Sequence, residues 1–172
     1  GLVNELKGLT DKLNLNIYEI IKAASTKPFG FTPFYPGPGL GGHCIPIDPY
    51  YLSWKAKKIG IDTKFIKLAG EINSSIPHVI IKKIKKIFKN KRNIKILVLG
   101  VAYKKNINDL RESPGIKIID LLKKYKFNIS YSDPFIPTIP KLRNFRIKLK
   151  SINLNSKILK KFDLVLISTD HD

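Results

Sequence analysis

The hydrophobic rhythm of the chain changes part-way along. Over residues 1–92 apolar positions recur three and four apart; over residues 93–172 they bunch into short continuous runs separated by amphipathic stretches. The first rhythm belongs to helices with one apolar face, the second to buried parallel strands joined by helices. In "VNELKGLTDKLN", Val3, Leu6, Leu9 and Leu13 predict a helix, entered without a Ser, Asp or Asn cap before Val3. A second helix, "IYEIIKAAST", should start from Asn14 or Asn16 and end near Pro28. A loop of about 22 residues follows, "KPFGFTPFYPGPGLGGHCIPID", in which Phe29, Phe31, Phe34 and Tyr35 imply packing against the rest of the chain. Asp48 ahead of Pro49 reads as an N-cap acceptor with proline at the first helical position, so "PYYLSWKAKKIG" should begin there and close at Gly60. "KFIKLAGEINSSI" and "PHVIIKKIKKIFKN" read as two further helical segments, the second opened by Pro77.

In the second half "NIKILVLG", an apolar run ending in glycine, predicts a buried strand. Ser113 before Pro114 repeats the cap-plus-proline signal and opens the amphipathic "PGIKIIDLLKKY". "NISYSDP" and "FDLVLIST" predict two more strands, with a short helix near "NSKILKK". Strand, helix, strand order implies right-handed crossovers. The expected fold is therefore α/β, a helical domain over residues 1–92 followed by a partial doubly wound, Rossmann-like parallel sheet over residues 93–172.

Composition narrows the partners. No apolar run approaches the ~20 residues of a membrane span, and the N-terminal stretch lacks the regions of a signal peptide, so the expected location is the cytoplasm. The single cysteine, Cys44, excludes an internal disulfide and a multi-cysteine zinc site, and no metal is expected. A formal charge of +19 has the sign for nucleic acid, but of 32 basic residues only Arg92, Arg111, Arg143 and Arg146 are arginine, and the lysines are scattered. Bidentate phosphate and base contacts favour arginine, so nucleic acid is not the expected partner.

Candidate chemistry concentrates at "PGPGLGGHCIPIDPYYL". A lone cysteine is commonly a small buried hydrophobe, yet Gly37, Gly39, Gly41 and Gly42 among prolines cannot join a helix or central strand and let a ligand approach the main chain. A thiol presented there can act as a nucleophile if a nearby charge or base keeps it deprotonated. Asp48 is accounted for by helix capping, a role compatible with a second one beside the thiol. His43 reads as a packing or substrate-contact residue.

The other candidate is "GVAYKKNINDLRESP". A dinucleotide-binding domain would show G-x-G-x-x-G after its first strand; here only Gly100 remains, and Ala102, Lys104 and Lys105 fill the turn. A lysine at the carboxyl end of a parallel strand nonetheless suits an anionic ligand. Asp109, Arg111 and Glu112 are either part of such a site or a surface ion-pair cluster.

Together "PGPGLGGHCIPIDPYYLSWKAK" and "LGVAYKKNINDLRESP", with "GEINSSIPHVI", "YSDPFIP" and "STDHD", resemble the UDP-glucose/GDP-mannose dehydrogenase family, nearest to its UDP-N-acetylglucosamine 6-dehydrogenase branch. The resemblance implies a two-step, NAD-dependent oxidation of a sugar C6 alcohol to a carboxylate for surface polysaccharide. Cys44 would be the nucleophile, passing through a thiohemiacetal and a thioester, and Asp48 would serve the hydrolytic water. Phe34, Tyr35, Gly37 and Gly41 would wrap the UDP-sugar, Lys104 would bind it with Tyr103 as aromatic neighbour, and Arg111 would reach the cofactor. His43, Ile45 and Ile47, where glucose-specific members read G-G-S-C-F-P-K-D, favour an N-acetylated sugar. The family's NAD-binding domain, and the part of its central helix that carries a lysine and an asparagine, are expected to be missing, and homodimerisation through that helix is implied. UDP-N-acetylmannosamine or UDP-glucose as substrate, or a non-catalytic UDP-sugar-binding or dimerising remnant, remain open.

Overall fold

The computed structural model describes residues 1–89, 91 and 93–172. The expected end of the last helical segment at Asn90 and the division between the halves at residue 92 lie outside the described residues. Helix α1 (Leu2–Lys12) and α2 (Ile17–Ala24) form a short hairpin, and α2 starts where Asn16 accepts the N–H of Tyr18. After the long loop come α3 (Asp48–Lys58), closed by Gly60 at φ +80°, and α4 (Lys64–Ile87).

Two expectations about these elements are corrected. Pro77 does not open a new helix: α4 runs through it for 24 residues. A proline in a helix interior deprives the carbonyl four residues earlier of its donor and costs about 3 kcal/mol. Asn73, Pro77, Ile81 and Ile84 are all buried along one stripe of α4, so packing outweighs that cost. The aromatic residues of the long loop are also not packed away: Phe29, Phe34 and Tyr35 are 75%, 68% and 59% exposed. Tyr35 stacks on Tyr18, ring centroids 6.2 Å apart, and Phe29 lies beneath the Lys27 ammonium.

The second half contains β1 (Lys95–Leu99), α5 (Pro114–Lys124), β2 (Asn128–Ser132), α6 (Ser156–Leu159) and β3 (Leu164–Ile167). The strands make a parallel sheet in the order β2-β1-β3, with Ile96 opposite Ile129 and Leu164. Ile96, Leu97 and Val98 of the central strand are wholly buried, as its unbroken apolar run requires. Ser113 caps α5 by accepting the N–H groups of Gly115 and Ile116, and its hydroxyl donates to the Val101 carbonyl at 2.6 Å. Ile116, Ile118, Ile119 and Leu122 of α5 meet Ile81 and Ile84 of α4 in one core, so the last three turns of α4 pack with the second half. Among the described residues no helix is long and apolar enough to cross a membrane.

Candidate active site

Residues 36–44 are tied to both halves. The N–H of Gly37 donates to the Asn4 amide oxygen at 3.0 Å, and Asn4 in turn donates to Asn73 on α4 at 2.8 Å. Gly39, at φ +142°, lies where a Cβ would sit 3.4 Å from the Asn73 carbonyl, the group freed by Pro77, and 3.3 Å from Pro114. Further along, a Cβ on Gly41 would come within 2.4 Å of the Tyr103 Cβ, and one on Gly42 within 2.9 Å of its ring. The glycines thus allow the loop to lie on Tyr103 with no side chain between. The N–H of Gly42 donates to the Arg111 carbonyl at 2.8 Å, fastening the loop to the segment that leaves β1.

Cys44 follows two residues later and is exposed. Its carbonyl accepts the N–H groups of Ile47 and Asp48, at 3.1 and 2.8 Å. Asp48 is therefore inside the first helical turn and not its cap, a correction to the sequence reading: Ile47 is the N-cap, and no side chain caps α3. The Cys44 carbonyl already draws the chain into a turn before Asp48, which leaves the exposed carboxylate free at the positive end of the helix.

On the facing segment the Tyr103 N–H donates to the Asp109 carbonyl at 3.0 Å, and Tyr103 is half-buried. Arg111 grips the Asp109 carboxylate through Nε and Nη2, and its own N–H donates to Oδ1 at 2.9 Å. The guanidinium holds the Asp109 carboxyl below its ordinary range, and Asp109 raises Arg111. Both partners lie at the surface, so the pair orients the arginine more than it stabilises the fold. Lys104 is exposed beside them.

The structure thus brings Gly41, Cys44, Tyr103 and Arg111 to one place, with Asp48 one turn on. Tyr35 stacks on Tyr18 of α2 and Gly37 is bonded to Asn4 of α1, while Phe34 is exposed. Tyr35 and Gly37 line a groove of about 1200 Å³ with Ile72 and Ser168, whereas Gly39, Leu40 and Ile45 line a separate cavity of about 470 Å³ with Tyr50, Asn73 and Pro77; Cys44 lines neither.

A cluster the sequence reading did not single out sits behind this site. Asp133, 3% exposed at the end of β2, accepts the N–H groups of Val101 and Ala102 on Oδ2 and of Phe135 and Ile136 on Oδ1. Burial alone would raise its pKa, but the N–H groups of Val101, Phe135 and Ala102 hold it below the ordinary value. The signal was an Asp-Pro at a strand end, which favours a turn whose N–H groups the aspartate accepts. Beside it the buried Tyr131 donates to the Ile136 carbonyl at 3.0 Å and is pushed up to about 12 by burial and by Asp133.

The same carboxylate decides whether this sheet seats the dinucleotide implied by the sequence. The Val101 and Ala102 N–H groups, which a pyrophosphate in the β1 turn would need, are already taken, and a Cβ on Gly100 would lie 2.1 Å from the Thr169 carbonyl. The turn does not fit a nicotinamide dinucleotide.

Residues 1–75 match the central domain, and residues 97–172 the UDP-binding domain, of the UDP-glucose/GDP-mannose dehydrogenase family. The chain belongs to this family. A UDP-N-acetyl-D-mannosamine dehydrogenase of Campylobacter jejuni is 39% identical over 99% of the chain, which spans 41% of that relative's length. Among solved structures, the UDP-N-acetyl-mannosamine dehydrogenase of Staphylococcus aureus superposes with a TM-score of 0.77 at 33% identity, over 99% of the chain and 38% of its own. A UDP-glucose dehydrogenase of Pyrobaculum islandicum gives 0.85 at 22% identity, over 99% of the chain and 39% of its own, and shows the fold alone. The α/β architecture and the family resemblance read from the sequence are thus confirmed. The family's dehydrogenases use NAD, and the two matched domains are its central and UDP-binding ones, consistent with the occupied β1 turn.

Proposed function

We propose that this chain is the thiol-bearing and UDP-sugar-holding part of a nucleotide-sugar 6-dehydrogenase, acting on UDP-N-acetylmannosamine in preference to the UDP-N-acetylglucosamine that the resemblance implied. The carrying observation is the exposed Cys44 on a loop fastened to the exit of β1 by the Gly42 to Arg111 bond. The names of the relatives support the manno sugar.

In this reading the Cys44 sulfur adds to the carbonyl carbon of a C6 aldehyde and the oxygen takes up a proton, giving a thiohemiacetal. Removing hydride from C6 is the chemistry NAD supplies. At the thioester stage Asp48 accepts the proton of the attacking water as the C–S bond breaks and the thiol leaves. Lys104 meets the diphosphate, Tyr103 backs the loop, and Phe34, Tyr35, Gly37 and Gly41 enclose the nucleotide sugar. Arg111, oriented by Asp109, offers its remaining N–H groups outward to the anionic cofactor. Residues 1–92 serve as a helical domain pairing two copies of the chain, and residues 93–172 as the UDP-binding domain, in the cytoplasm.

Titrating the chain with UDP-N-acetylmannosamine, UDP-N-acetylglucosamine, UDP-glucose and UDP by calorimetry tests the reading, together with iodoacetamide labelling of the one thiol. The manno sugar should give the strongest binding and slow the labelling. Neither heat nor protection from any of the four at millimolar concentration would discard it.

A further inference from the structure

The carboxyl ends of all three strands converge on one buried carboxylate. Asp133 closes β2, accepts the N–H groups of Val101 and Ala102 just beyond β1, and meets Nε2 of His171, beyond β3, at 3.1 Å. Five partners surround two oxygens with about four lone-pair sites between them, so the carboxylate is saturated.

The imidazole is also fully engaged. Its side chain is 5% exposed and lies against the Phe135 ring, centroids 5.0 Å apart. The backbone N–H of Asn106 points at Nδ1 from 3.0 Å. A backbone amide can only donate, so Nδ1 must be bare, and the ring proton sits on Nε2 and is donated to Asp133. Only the neutral Nε2-protonated form satisfies both neighbours. Asn106 itself holds a left-handed backbone at φ +59°, and its side-chain oxygen accepts the N–H of Asp172 at 3.1 Å. The carboxylate of Asp172 accepts from the Asn106 amide and pairs with Lys105.

We infer that His171 and Asp133 are a positioning pair that sets residues 101–111, with Tyr103, Lys104 and Arg111, against the cysteine loop. Asp133 bonds His171, His171 bonds the Asn106 backbone, and five residues further along the same loop the Arg111 carbonyl holds Gly42, two residues from the thiol. Neither side chain reaches the thiol itself. The pair acts by fixing Lys104 between two pinned points, at residues 101–102 and 106, so that an anionic ligand meets a preset ammonium group.

Two variants separate the bonds. In His171→Asn the amide oxygen takes the place of Nδ1 and keeps the Asn106 bond; in His171→Gln the amide nitrogen takes the place of Nε2 and keeps the Asp133 bond. Backbone hydrogen exchange at Asn106 and Gly42 should rise in both variants, about tenfold in His171→Gln, which loses the Asn106 bond, and less in His171→Asn, which keeps that bond but is no longer held by Asp133. Affinity for UDP-N-acetylmannosamine should follow the exchange and not the melting temperature. Equal exchange in all three proteins would show that the ring only fills space, and wild-type exchange in His171→Asn would show that Asp133 takes no part; either would overturn the pair. If a variant does not fold, ¹⁵N shifts of the wild-type imidazole decide: a protonated Nε2 and bare Nδ1 support the pair, the opposite tautomer refutes it. The affinity arm rests on the function proposed above; the exchange and tautomer arms do not, so a wild type that binds no UDP-sugar fails that function and leaves them to decide.

Discussion

The backbone N–H of Gly42 donates to the carbonyl of Arg111 at 2.8 Å, joining the loop of the only cysteine to the segment that leaves the central strand. Two stretches almost seventy residues apart in sequence thereby become one surface.

Gly41→Ala should disrupt the join and Gly37→Ala should not. An added Cβ meets Tyr103 at 2.4 Å in the first case and nothing within 4 Å in the second. Overpacking of the first kind costs about 1–3 kcal/mol. Urea midpoints should fall for Gly41→Ala alone, and its Cys44 should be alkylated at a changed rate.

Cys44→Ser should leave stability within about 0.5 kcal/mol of wild type, because the side chain is exposed. The wild-type protein should titrate one thiol per chain without denaturant. A thiol that reacts only after unfolding would contradict the geometry.

Ser113→Ala should cost about 1–2 kcal/mol. It removes the cap of α5 and leaves the Val101 carbonyl without the hydroxyl that donates to it at 2.6 Å. Thermal unfolding followed by circular dichroism reads the loss, and Ser113→Thr should restore much of the cap.

Asp133 ties stability to acid. Its native pKa lies below its unfolded one, so its stabilisation is fully present above the unfolded value of about 3.9 and is lost as pH falls through the native value. Asp133→Asn turns an amide donor towards the N–H groups of Val101 and Ala102 and should cost roughly 3 kcal/mol at neutral pH. The difference between wild type and variant should shrink below about pH 4. A constant difference from pH 7 down to pH 2 would show that the charge is not what the site requires.

What the sequence determined by itself was whatever a few neighbouring residues decide. Asn16 and Ser113 start their helices because each oxygen meets N–H groups two or three residues on, and the unbroken run from Ile96 to Leu99 had to be a buried strand since it has no polar face. The glycine and proline spacing around Cys44 likewise announced a loop open to close approach. Pro77 and Asp48 were misread because the local rules for proline and for capping were overruled from a distance: by the buried stripe of α4 in one case, by the carbonyl of Cys44 in the other. Tertiary structure alone decided that Gly41 rests on Tyr103 and that the Arg111 carbonyl holds Gly42, two residues from the thiol. It alone decided that Asp133 gathers the ends of three strands through His171, 38 positions away. Such contacts depend on where the sheet returns the chain, and no periodicity in the residues between them encodes the meeting of two side chains across that separation.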